Sequence, residues 1–132
     1  MPPREDYGEI RTLLAKYCFA IDERDAVTWA ELFTEDGVFD RGLGDPVRGR
    51  DSLREFVEIL PSDLRHLTVN EIIEVVGDRA TVRAYLLVLR GRPPVIRFVG
   101  ESSDIFTRTA DGWRFSQRLL IRHALGDTSA DL

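Results

Sequence analysis

Two residues far apart in this sequence have the chemistry of a proton-transfer pair. His66 opens the stretch Arg65-His66-Leu67-Thr68-Val69-Asn70, where a strand is expected to enter the core, and the chain has only 2 histidines. Asp22 closes the first helical pattern, in Ile21-Asp22-Glu23-Arg24-Asp25. An imidazole changes charge near neutral pH, and a carboxylate bound to one ring nitrogen leaves the other able to take a proton. Whether the two side chains meet separates an enzyme from a binding domain. Asp25, Asp36 and Asp40 compete for the partner's role. At about 100° per residue, Asp25 lies nearer the centre of the apolar helix stripe than Asp22, so periodicity leaves the choice open.

Three further side chains could take part. Tyr17 lies inside the helix stripe, where it either packs in the core or donates a hydrogen bond to a substrate oxygen. Arg118 stands among apolar residues of the last strand pattern. A buried arginine needs a carboxylate or a bound anion. Asn70 shares His66's face at period two, with Thr68 and Ile72. Other site types are excluded. Gly42-Leu43-Gly44 follows no strong strand and opens no helix, so it is no dinucleotide fingerprint. Two widely separated histidines and the single Cys18 make no metal constellation, and no serine sits in a nucleophile elbow. General acid–base chemistry without a cofactor is what remains.

The elements that must position these residues fall in a clear order. Ile10, Leu13, Leu14, Tyr17, Cys18 and Ile21 have the spacing of an amphipathic helix, with Asp6 as N-cap and Glu9 completing a capping box. A short second helix carries Val27, Trp29, Ala30, Leu32 and Phe33 and stops at Glu35-Asp36-Gly37. Val38 to Asp40 reads as a short strand and Gly42 to Gly49 as a loop. A third helix spans Asp51 to Leu60, ended by Pro61. Four strands follow, Leu67–Val76, Thr81–Leu89, Val95–Thr107 and Trp113–His123, punctuated by Gly77-Asp78, Gly91 to Pro94 and Asp111-Gly112. Helices first and hairpin-linked strands after predict an α+β fold with a mainly antiparallel sheet. Residues 1–132 read as a single domain, with residues 126–132 expected to form a disordered tail.

Composition narrows the partners. The 132 residues carry a net charge of −5 with acids and bases interleaved, which excludes the basic stripe of a nucleic-acid surface. No run approaches the roughly 20 apolar residues of a membrane span. The polar start, Met1 to Asp6, lacks a signal-like apolar segment, and one cysteine permits no internal disulfide. A cytoplasmic location is expected.

Taken together, several blocks resemble the SnoaL-like branch of the nuclear transport factor two-like superfamily. They are Tyr17 to Asp25, Trp29 to Phe39, His66 to Asn70, then Gly100, Asp104 and Asp111 to Arg118, so the resemblance spans residues 6 to 123. It implies a curved sheet wrapped into a cone, with three helices enclosing an apolar pocket. Relatives such as scytalone dehydratase, lindane dehydrochlorinase and the bile-acid dehydratases use a His–Asp dyad there to remove a proton. The resemblance, and not periodicity, selects Asp22 as partner of His66, and gives Tyr17 and Arg118 catalytic and substrate-binding roles. Asn70, Trp29 and Phe33 are expected to contact the substrate, a small apolar cyclic molecule of steroid or aromatic polyketide type. A homo-oligomer, dimer or trimer, is implied, formed through the outer face of the sheet. The second histidine of scytalone dehydratase has no counterpart beyond the distant His123, and Ser102 stands where relatives often place an aromatic residue. The rival expectations are a non-catalytic ligand-binding or oligomerisation domain, and the small subunit of a ring-hydroxylating dioxygenase.

Overall fold

A computed structural model of the chain describes residues 4–123. The expected tail, 126–132, lies outside the described residues. Helix α1 (Arg4–Asp22) buries Ile10, Leu13, Leu14, Tyr17, Cys18 and Ile21, the stripe read from the sequence. Its end is a chain reversal. Arg24 takes a left-handed conformation at φ 58°, Asp25 N–H donates to Ala20 O (2.9 Å) and Arg24 N–H to Ile21 O (3.1 Å). These two bonds satisfy carbonyls that the helix end leaves open. Asp25 then caps α2 (Ala26–Glu31), its Oδ1 accepting from Thr28 N–H at 3.1 Å. Helix α3 (Arg50–Glu58) packs Leu53, Phe56 and Val57 into the same core.

The sheet contains six strands: β1 (Phe33–Asp40), β2 (Val47–Arg48), β3 (Leu64–Val76), β4 (Arg79–Arg90), β5 (Val95–Thr109) and β6 (Gly112–Arg122). Their order is β2-β1-β6-β5-β4-β3. Every neighbouring pair is antiparallel except β1 and β6, which run parallel, so the sheet is mixed, curved and unclosed. The parallel pairing explains a correction to the sequence reading. Phe33 opposes Phe115, so β1 begins there and not at Val38, while Val47 and Arg48 form a strand within the stretch read as a loop. Strand alternation sends Ala80, Val82, Ala84, Leu86 and Val88 of β4 to the concave side, all at most 3% exposed. Among the described residues no helix is long and apolar enough to cross a membrane.

A second correction concerns Asp6 and Glu9. Asp6 lies inside α1 and does not cap it. Its carboxylate accepts from Trp113 Nε1 (3.0 Å) and Arg108 Nη2 (2.9 Å), and Glu9 Oε2 accepts the Trp113 N–H at 2.6 Å. Both acids therefore clamp the start of α1 to the β5–β6 hairpin.

Candidate active site

The reversal at Arg24 leaves Asp22 as the last helical residue of α1, and its carboxylate reaches across to β3. Asp22 Oδ1 lies 2.6 Å from His66 Nδ1. The His66 backbone N–H also donates to Oδ1 and Oδ2, at 3.1 and 3.0 Å. β3 is an edge strand, and an edge N–H turned away from its neighbour needs an acceptor from elsewhere. Asp22 is that acceptor. The imidazole is 2% exposed and the carboxylate 13%, so water competes little for either bond. An ionised carboxylate only accepts, which assigns the proton to Nδ1 and the lone pair to Nε2. The competing acids are occupied otherwise: Asp25 caps α2, Asp36 accepts from Thr34 Oγ1, and Asp40 accepts from Gly42 N–H.

Beneath the dyad lies a buried row. The Tyr17 ring meets His66 edge-on with centroids 6.4 Å apart, and the Arg118 guanidinium stacks 4.2 Å from the Tyr17 ring centroid. Burial drives the Tyr17 phenol well above its ordinary pKa, against the pull of the nearby Arg118 charge, so it stays protonated at neutral pH. Arg118 is fully buried. Its Nε lies 3.2 Å from Asp104 Oδ1 in an ion pair without hydrogen-bond alignment, and neither Nη has a hydrogen-bond partner. Burial pushes the Asp104 carboxyl up to about 6, opposed by Arg118 and by the bond from Ser102 Oγ at 3.3 Å. The guanidinium also lies 5.4 Å from the Phe115 ring centroid, so aromatic faces as well as Asp104 offset the cost of burying its charge.

Sequence reasoning missed Asp104 and Ser102 as part of this row. The signal was available: alternation along β5 sets Gly100, Ser102, Asp104 and Phe106 on one face, and a buried Arg118 requires a carboxylate. The remaining expected contacts fall differently. Trp29 and Phe33 are 0% exposed, packed 5.0 Å apart in an aromatic cluster with Tyr17 and Phe115. They back the site without presenting a free surface to it. Asn70 is not brought to the dyad. A bulge between Val69 and Ile72 breaks the alternation of β3, Asn70 adopts φ 60° there, and its side chain lines a groove with Tyr85, Arg83 and Glu101 on the convex face. His123 belongs to that face as well, with Nε2 3.1 Å from Glu101 Oε2.

His66 lines an open groove of about 700 Å³ between α1 and β3, together with Arg11, Leu14, Cys18, Phe19 and Thr68. That volume falls within the usual range for small-molecule sites. Cys18 makes a 3.5 Å contact with Thr68 Oγ1, and burial raises its thiol pKa, which keeps it a protonated packing residue. The arrangement as a whole can take up a proton at one buried imidazole nitrogen beside a neutral phenol donor.

An uncharacterised Mycobacterium tuberculosis protein is 32% identical over 123 residues, covering 86% of this chain and 83% of its own. The solved structure of an NTF2-like protein with a cystatin-like fold from Novosphingobium aromaticivorans superposes with a TM-score of 0.84 at 31% identity, covering 96% and 85% of the two chains. A candidate scytalone dehydratase from the same organism, 23% identical over 87% and 82% of the chains, shares the fold with a TM-score of 0.76. The SnoaL-like domain model matches residues 3–119, and the chain belongs to the SnoaL-like family of the nuclear transport factor two-like superfamily.

Proposed function

We propose that the protein is a cofactor-independent lyase or isomerase of dehydratase type, acting on a small apolar cyclic substrate. The observation that carries this reading is the 2.6 Å bond between His66 Nδ1 and Asp22 Oδ1, which fixes the lone pair on Nε2. Nε2 takes a proton from a carbon next to a carbonyl, and the electron pair moves onto the carbonyl oxygen. The pair then returns from oxygen to re-form the carbonyl and make a carbon–carbon double bond as a hydroxyl on the adjacent carbon takes that proton from the imidazolium and leaves as water. Alternatively, the proton returns to another carbon and the product is an isomer. Asp22 balances the imidazolium charge, and the neutral Tyr17 phenol donates to the developing oxyanion. The Nη–H groups of Arg118 donate to a substrate oxygen. A base so placed contributes about a hundred- to ten-thousand-fold in rate. The apolar concave face favours steroid-like or aromatic polyketide-like rings, and the buried thiol of Cys18 fits a reducing cytoplasm.

The test needs no natural substrate. A base of this kind exchanges the acidic carbon-bound protons of cyclic ketones with deuterated water, followed by NMR on α-tetralone and a steroid ketone. His66→Gln should abolish the enzymatic part of the exchange while the thermal unfolding curve stays two-state. Exchange at the unmodified rate in that variant rules the dyad out.

A second feature favours assembly. Leu67, Val69, Ile72, Tyr85 and Ile121 are 36–58% exposed on the convex side of the sheet, more clustered apolar surface than single scattered residues present. It suits a homo-oligomer, and light scattering should return a dimer or trimer mass; a monomer at micromolar concentration rejects this.

A further inference from the structure

The rim of the concave face holds two arginines that the proton-transfer site does not use. Arg122 follows Leu120 by two within β6, so alternation turns it toward the concave side, and Arg41 is the first residue past the end of β1. The Arg41 guanidinium lies 5.3 Å from the Phe56 ring centroid, and that of Arg122 lies 5.3 Å from Phe98. The two are tied together, because Arg122 Nε donates to the Arg41 carbonyl oxygen at 3.2 Å. Burial first, and then the charge of Arg41, lower the pKa of Arg122, as two close cations partly out of water should. Arg41 makes no ion pair among the described residues, and its Nε is buried without a hydrogen-bond partner. The Arg41 charge, with a buried Nε that has no hydrogen-bond partner, is the one open to a bound anion, through charge-assisted hydrogen bonds.

Beside Arg41 a groove of about 530 Å³ opens between α3 and the β1–β2 segment, lined by Val47, Arg48, Phe56 and Ile59, with Glu55 as the one acid. The wall is apolar where the chain offers Val47, Phe56 and the 80% exposed Ile59. We propose that this groove binds an apolar carboxylic acid, with the carboxylate held by the Arg41 guanidinium beside Arg122 and the hydrocarbon body against Phe56 and Ile59. A singly charged carboxylate matches a lining that already contains Glu55, whereas a phosphate dianion would meet that acid at twice the repulsion. The groove shares no lining residue with the groove at His66, so its occupant does not compete for the space beside the dyad.

The probe is 2-naphthoate, compared by calorimetry with its neutral isostere 2-naphthamide and with inorganic phosphate. A charged hydrogen-bond pair predicts that the acid binds at least about tenfold more tightly than the amide. Arg41→Gln should reduce that preference to about one, and Arg122→Gln should weaken it severalfold. In the unsubstituted protein, amide NMR shifts induced by naphthoate should cluster at Arg41, Val47 and Phe56, which keeps the test decisive if a variant fails to fold. Equal affinity for acid and amide overturns the proposal. So does a preference that survives Arg41→Gln, a shift map centred elsewhere, or phosphate that competes as strongly as naphthoate binds. The readout is binding and not turnover, so its failure leaves the dyad's chemistry standing, and a failed dyad leaves it standing.

Discussion

Asp22→Asn separates the dyad's chemistry from its structural role. The carboxylate accepts from His66 Nδ1 at 2.6 Å and from the His66 backbone N–H at 3.0 and 3.1 Å. Replacing the charged acceptor by an amide of the same shape converts two charge-assisted bonds into neutral ones. Each change costs about 1 kcal/mol, so roughly 2 kcal/mol of stability is lost. With about 2.1 cal/mol/K of unfolding entropy per residue over 132 residues, the melting temperature should fall by roughly 7 °C. The chemical effect is larger. An amide can donate to Nδ1 as well as accept from it, so the ring is free to carry its proton on Nε2, where the base should be. Deuterium exchange should therefore drop by about a hundred- to ten-thousand-fold. Ring nitrogen-15 NMR reads the cause directly: the unsubstituted protein should show neutral His66 protonated at Nδ1, and the variant a mixture. An Nε2-protonated ring in the unsubstituted protein would refute the reasoning. So would a variant that melts lower but exchanges at the full rate.

Two further outcomes follow from the buried row and the sheet. The Asp104 carboxyl is raised from 3.8 to about 6 in the folded state, so the folded protein holds a proton that the unfolded chain releases between those values. Its contribution is fully present below pH 3.8, is lost as pH rises through about 6, and is flat beyond; over that window stability should fall by about 3 kcal/mol. Denaturant titrations across pH 4 to 7 on the parent and on Asp104→Asn isolate this slope, and a slope that persists in the variant contradicts it. Gly100→Ala places a Cβ against the Ile121 carbonyl oxygen and 2.6 Å from the Phe98 ring. The obstacle is backbone of the neighbouring strand, so overpacking should cost about 1–3 kcal/mol in urea unfolding. A midpoint unchanged within error would mean that β5 and β6 can part there.

The sequence made some of this legible and not the rest, for physical reasons. The apolar stripe of α1 and the four long strands follow from periodicity, because burial on one face imposes it. Asp22 could not be told from Asp25 by spacing, since both stand beside the helix end. What separates them is a left-handed Arg24, which turns Asp25 into the cap of α2 and leaves Asp22 facing β3. Asn70 was misplaced because strict alternation carries no information about a bulge. One extra residue between Val69 and Ile72 reverses the facing of everything after it, sending Ile73 and Val75 inward. Asp6 and Glu9 match a capping box, yet their tertiary partners, Trp113 and Arg108, lie about a hundred positions away and no local rule can see them. The parallel β1–β6 pairing is invisible for the same reason.

The position of Asp22 also argues for its role. It ends α1, where the backbone carbonyls make the helix terminus partly negative, and the last turn of that helix holds no basic residue. A carboxylate there is disfavoured by about 0.3–1 kcal/mol. Helix formation alone gives no reason to place an acid at that point, and the Schellman-type closure at Arg24 needs none. The two donors of His66 offset the cost, one of them a backbone N–H on an edge strand that would otherwise be left unsatisfied. The same carboxylate thus docks α1 onto β3 and orients the imidazole. A rearrangement that moves the base must first undock the helix, so the rigidity of the site is that of the α1–β3 junction itself.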